Sequence, residues 1–276
     1  MQKSHLLSQA LLRYWENYAR LVQLSSAKAS TKHIHQLRIS TQKLEAILTL
    51  VSNFVPKHQS KKIIDQIRKV RKSVNLLRDS QFEALAIKKQ DNSDKFNSKF
   101  TGFFSEEKRH AKKKALRYLK GISIHRQKKY VNMLATKLID IEAHSDQKQV
   151  RSELEDQLNP TLFKFKQAMS KADPLQIEEI HKLRILGKKL FYQQECLNSL
   201  RANSRFQLKN LANVLSVCGR IQNDSVLLGT LDIYLAKKGR HQDPDAMQIK
   251  KQVKSHRAKV INTEFARLGN NNWQER

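Results

Sequence analysis

Histidine, arginine and lysine at helical spacing, set out twice along the chain, are the residues of this sequence best placed to do chemistry. The first copy reads Ile34-His35-Gln36-Leu37-Arg38-Ile39-Ser40-Thr41-Gln42-Lys43-Leu44, and the second Ile180-His181-Lys182-Leu183-Arg184-Ile185-Leu186-Gly187-Lys188-Lys189-Leu190. His35, Leu37, Arg38, Lys43 and Leu44 recur 146 positions later. Positions i, i+3 and i+7 of a helix share a face, so His35, Arg38 and Gln42 form one polar strip and His181, Arg184 and Lys188 another. Beside the first strip, Ile34, Leu37, Leu44, Leu48 and Val51 make an apolar one, which puts the imidazole and the guanidinium at the edge of a buried seam. Such an edge suits holding an anion. Arginine forks onto phosphate oxygens, lysine supplies point charge, and histidine, neutral or protonated, adds a donor.

The elements that must carry these strips read as helix after helix, punctuated by only seven glycines and four prolines. No run alternates with period two, so the expected fold is all-α. The first helix, about residues 3 to 24, carries Leu7, Leu11, Tyr14, Trp15, Tyr18 and Leu21 at core spacing. Ser25 to Thr31 reads as a small-residue linker, and the motif helix runs to about Phe54, before Pro56. The third helix, about Gln59 to Ile87, has a seam of Ile63, Ile67, Val70, Val74 and Leu77. Arg68, Arg71, Asn75 and Arg78 line one flank of it; they face either a cavity or solvent. After the polar stretch Asp91 to Ser98, a fourth helix to Lys120 places Phe100, Phe104, Ala111, Ala115 and Tyr118 inward, with Lys108 and Lys112 among the cations around it. A further helix follows near Tyr130 to Ile141, and the polar run Ala143 to Arg151 divides the chain.

The second half repeats the plan. Arg20 precedes His35 by 15 positions, and Lys166 precedes His181 by the same interval. Arg78-Asp79 is echoed by Asn223-Asp224, 145 positions on, one short of the motif offset. Lys209, Arg220, Lys250, Lys254 and Arg257 lie on the last helices, beside a seam of Ile249, Val253 and Val260. A repeat this long implies two similar antiparallel helical bundles, residues 1–142 and 150–276, about a pseudo-two-fold axis.

Charge points to the partner. With 53 Lys and Arg against 25 Asp and Glu, the 276 residues carry a formal net charge of +28. That excess opposes compaction unless solvent or a polyanion takes it up. Two cysteines, Cys196 and Cys218, provide neither a disulfide framework nor a metal site and fit a reducing compartment. Arg13, Glu16 and Arg20 break up the apolar start, and no stretch matches a membrane span, so a soluble intracellular protein without membrane association is expected.

The paired His-x-x-Arg-x-x-x-(Gln/Lys)-Lys-Leu helices, each followed by a basic helix reaching an acidic residue, resemble the conserved histidine α-helical domain, CHAD. The resemblance covers nearly the whole chain. It implies two four-helix bundles enclosing a basic central channel that binds inorganic polyphosphate, with localisation to cytoplasmic polyphosphate granules. Carried over by position, the motif residues are His35, Arg38, Lys43, His181, Arg184, Lys188 and Lys189. Gln42 departs from the basic residue usual there, and Asn223 replaces what Arg78 supplies, so the halves need not contribute equally. Polyphosphate offers dense charge and no base edges, so its binder needs many cations on rigid supports. His35 and His181 either touch phosphate or bond a neighbouring carbonyl or carboxylate, while Asp79 and Asp224 are expected to orient arginines. Glu106-Glu107 and Glu178-Glu179 are isolated acidic pairs, and no Gly-rich phosphate loop, nucleophile elbow or metal cluster is present, so neither catalysis nor a cofactor is expected. Nucleic-acid binding is the competing reading, permitted by a pI near 10.2.

Overall fold

The computed structural model describes residues 5–90, 98–200, 208–237 and 243–268. Among these there is no strand. The helices are α1 (Leu6–Ala27), α2 (Thr31–Leu50), α3 (Lys57–Gln90), α4 (Ser98–Lys120), α5 (Ile124–His144), α6 (Gln147–Asp156), α7 (Asn159–Lys171), α8 (Ile177–Ser199), α9 (Leu208–Leu235) and α10 (Pro244–Lys259). A π-helical segment, Val260–Phe265, and the short α11 (Ala266–Leu268) follow. The chain forms two compact units: one of Met1–Asp79, His110–Thr161 and Tyr192–Ser204, the other of Ser80–Arg109, Leu162–Phe191 and Arg205–Arg276. Compactness therefore divides the chain differently from the sequence halves 1–142 and 150–276.

In the first unit, α1 packs against α2 and α5. Trp15 and Tyr18 are fully enclosed, their ring centroids 5.4 Å apart. The periodic residues read from the sequence are the core: Ile34, Leu37, Leu44, Leu48 and Val51 from α2 and its end, and Ile63, Ile67, Val70, Val74 and Leu77 from α3. Ser30 caps α2, its hydroxyl accepting from the His33 amide at 3.1 Å. The first amides of α1 are served from a distance, since Glu142 near the end of α5 accepts from Leu7 N at 2.7 Å and Ser8 N at 3.4 Å.

In the second unit, Gly187 lets α7, α8 and α9 come together. A Cβ there would lie 2.9 Å from Leu215 Cδ2 and 3.0 Å from Phe165 Cε2. Thr41 holds this place in the first copy of the motif. Further on, Leu227, Leu228, Leu231, Tyr234, Ala246, Ile249 and Val253 close α9 onto α10. Buried Asp243 starts α10: one carboxylate oxygen accepts from Ala246 N at 3.1 Å and the other from Tyr234 Oη at 2.7 Å.

Several boundaries differ from the sequence reading. Ser25 is fully buried and α1 continues to Ala27, so the linker to α2 is only Lys28 to Ser30. The polar run 143–151 is mostly helical, because Asp146 caps α6 by accepting from Lys148 N. Ala111, Ala115 and Leu119 take the inner face of α4, and Tyr118 is 39% exposed, not inward. The loop at 91–97 and the side chains of Phe100 and Phe104 lie outside the described residues.

Candidate functional site

In the first unit, the strip on α2 meets the arginines of α3. Arg38, one turn beyond the exposed His35, is half-buried against the seam. Its Nη1 lies 3.9 Å from Asp79 Oδ1, which also accepts from Arg78 Nη1 at 3.0 Å. Burial holds the Arg38 guanidinium below the usual arginine range, the charge of Arg78 pushes it further down, Asp79 opposes this and Arg71 adds to it. Arg38 Nε and the neighbouring helix's Asn75 Oδ1 are buried without hydrogen-bond partners. A guanidinium in this state carries charge that its surroundings compensate poorly, and an incoming anion relieves it.

Other cations of this unit already hold acids. Lys43 Nζ lies 2.5 Å from Glu195 Oε1. Glu45 receives Arg68 on Oε1 at 2.8 Å and Arg71 on Oε2 at 2.7 Å. Gln42 is half-buried in the strip, Lys112 is exposed on α4, and the exposed Arg20 donates to Asn17 Oδ1 at 2.9 Å.

In the second unit, the same strip is organised by a glutamine. Arg184 Nη1 donates to Gln222 Oε1 at 3.0 Å, and Gln222 Nε2 lies 2.5 Å from His181 Nδ1. Because the Gln222 oxygen accepts from Arg184, its nitrogen is the donor and His181 Nδ1 the acceptor, which leaves the imidazole proton on Nε2. The glutamine thus fixes one tautomer with an N–H directed away from α9. Gly219 lies against the arginine: a Cβ there would stand 3.5 Å from Arg184 Nε, in ordinary van der Waals contact. The Arg184 charge also draws the Cys218 thiol downward, yet burial dominates and pushes that thiol up to about 12.

Arg220 is bound to Glu264 in the π-helical segment, and Lys250 to Asp232. Arg257 Nη1 donates to Ser225 Oγ at 3.2 Å. Asp79 does hold arginines; Asp224 instead takes His256, whose Nδ1 is 2.7 Å from Oδ2. Burial raises the Asp224 carboxyl above the usual aspartate range, and His256 leads the groups that pull it back. Lys188 is half-buried; Lys108, Lys189, Lys209 and Lys254 are exposed. Lys166, also half-buried, borders an open pocket of about 750 Å³ with Met169, Pro174, Ile261 and Phe265. His181 lines a separate pocket of about 610 Å³ between α7 and α8, where Glu178 and Glu179 offset Lys164, Lys171 and Lys182.

Sequence reasoning missed Gln222, His256 and the acids Glu45, Glu195 and Glu264. Only Glu45 left a signal, lying on the motif helix seven residues after Arg38. The others are brought in from 32 to 152 residues away. Among the described residues, no three His, Cys, Asp or Glu side chains converge as a metal site, and no helix is long and apolar enough to cross a membrane.

The chain matches the sequence model of one family, the CHAD domain, over residues 7–267. Among solved structures, the crystal structure of the CHAD domain from the plant Ricinus communis is similar, with a TM-score of 0.68. The alignment covers 98% of this chain and 94% of that one at 15% identity, a likeness of fold. A comparison with curated proteins finds no match.

Proposed function

The chain belongs to the CHAD-domain family, and on that premise we propose that it binds inorganic polyphosphate, without catalysis, through the motif faces of α2 and α8. The observation that carries this reading is Arg38: a half-buried guanidinium beside Arg71 and Arg78, with its Nε unpartnered. A polymer of phosphates satisfies such a group on several oxygens at once, and the helix holds the fork in place. Arg184, set over Gly219 and tied through Gln222 to His181, presents a guanidinium and an imidazole N–H together on the second copy. Each motif face binds phosphate oxygens in this proposal. Residence in the cytoplasm, on polyphosphate granules, belongs to the same proposal.

Nothing in this arrangement calls for cleavage. Buried Cys218 is drawn toward its inert protonated form, and the acids Glu45, Glu195 and Asp224 are engaged with Arg, Lys or His. The test is competition. Long-chain polyphosphate and duplex DNA, matched in phosphate content at fixed ionic strength, are titrated against each other on the full chain. Polyphosphate is expected to displace DNA, and both affinities fall as salt rises through counterion release. DNA displacing polyphosphate would refute the proposal and favour a nucleic-acid binder.

A further inference from the structure

We infer that His256 is an anion-binding residue of the second unit, supplying from α10 the cation that α9 lacks at Asn223. The inference rests on the polyphosphate reading and adds to it a residue that lies outside both copies of the motif.

The comparison between copies motivates it. In the first copy, Asp79 accepts from its neighbour Arg78 at 3.0 Å and lies 3.9 Å from Arg38. At the matching place of the second, the pair reads Asn223-Asp224, so the acid is kept and the guanidinium is lost. Asp224 nevertheless has a cation-capable partner, because His256 reaches it from α10 at 2.7 Å. Asp224 is the deeper of the two, with its side chain 15% exposed against 50% for His256. The carboxylate is therefore the anchor, and the imidazole is the group that meets the solvent.

The anchor decides what the ring can offer. To donate to Asp224, Nδ1 must carry a proton. In the neutral ring, the outward Nε2 then bears a lone pair and repels a phosphate oxygen. Only the doubly protonated ring presents an N–H and a positive charge there. Arg78 in the first unit is unconditional by contrast, since a guanidinium does not lose its proton in proteins. The charges acting on Asp224 are His256 and Arg257 from α10 and Arg220 from α9; Glu264 of the π-helical segment is taken up by Arg220. Anion binding favours the protonated ring, so this contribution is made by the imidazolium and is lost when the ring gives up its second proton.

The test uses the full chain and long-chain inorganic polyphosphate at constant ionic strength, at about pH 6 and about pH 8. The wild type, His256→Gln and His256→Arg are compared. His35 and His181 contribute equally to all three and cancel in the comparison. The wild-type affinity is expected to fall between the two pH values by about tenfold more than that of His256→Gln, the scale of one charge-assisted contact. His256→Arg should bind at the higher pH as the wild type does at the lower. Equal falls in the wild type and His256→Gln overturn the inference. NMR of the His256 ring gives a second readout, because added polyphosphate should raise its titration midpoint. A midpoint that stays put while the polymer binds overturns the inference and leaves the polyphosphate reading standing. No binding by the wild type at either pH overturns both.

Discussion

Glu45→Gln should lower stability and strengthen polyanion binding at once. The carboxylate uses both oxygens, accepting from Arg68 at 2.8 Å and Arg71 at 2.7 Å. The Arg71 pair is half-buried, with side chains 22% and 17% exposed, and a charge-assisted bond in that setting is worth about 1–2 kcal/mol. Arg68 is 56% exposed, so screening leaves it only about 0–0.5 kcal/mol. Glutamine keeps the shape and one acceptor but loses the charge, so the total loss is about 1–2.5 kcal/mol. For a chain of this size, that corresponds to an unfolding midpoint lower by about 2–4 °C, read by circular dichroism. The same substitution removes the carboxylate charge shared by Arg68 and by Arg71, whose own charge acts on Arg38. Polyphosphate titrations across a salt series should then give a plot of log affinity against log salt steeper by about 0.7–1 for each cation that gains a phosphate. An unchanged midpoint would refute the ion-pair estimate. A lowered midpoint with an unchanged slope would show that Arg71 does not meet the polymer.

Two further outcomes rest on buried groups. Asp243→Ala removes the α10 cap, worth about 1 kcal/mol, and the charge-assisted hydrogen bond from the buried Tyr234 hydroxyl, worth about 1–3 kcal/mol, so urea unfolding should show a loss of about 2–4 kcal/mol. Asp243→Asn, which keeps an acceptor, should recover most of it; equal losses would contradict the hydrogen-bond assignment. Burial pushes the thiols of Cys196 and Cys218 up to about 12, so thiolate is negligible near neutrality and native protein should consume no alkylating reagent until it unfolds. Rapid labelling of either cysteine in the native chain would contradict their burial.

The fold was legible wherever one helical face is buried and the other wet. Ile63, Ile67, Val70, Val74 and Leu77 show why: an a/d seam forces hydrophobic spacing that no loop would keep. Tyr118 was misplaced because Ala111, Ala115 and Leu119 fill the inner face of α4 instead. Small polar residues favour turns, which makes Ser25 read as linker, yet it lies on the buried face of the last turns of α1. In the candidate site, repetition exposed Arg38 and Arg184 without any tertiary knowledge. Their partners were hidden, since Lys43–Glu195 spans 152 residues and Gln222–His181 spans 41, distances at which spacing carries no signal. The loss of arginine at Asn223 could be read directly; its replacement by a histidine from the next helix required the structure.

The most direct test of the central claim compares two double substitutions of equal charge. Arg38→Ala with Arg184→Ala removes both motif guanidiniums, and Lys69→Ala with Lys113→Ala removes two exposed lysines. Circular dichroism first establishes that both variants keep their helices. A bidentate, half-buried phosphate contact is worth about 1.5–3 kcal/mol, whereas a screened surface charge contributes about 0–1 kcal/mol. Polyphosphate affinity should therefore fall at least about tenfold further in the arginine variant. Equal falls in the two variants would contradict the account, leaving a diffuse polycation whose repeated motif serves only the fold.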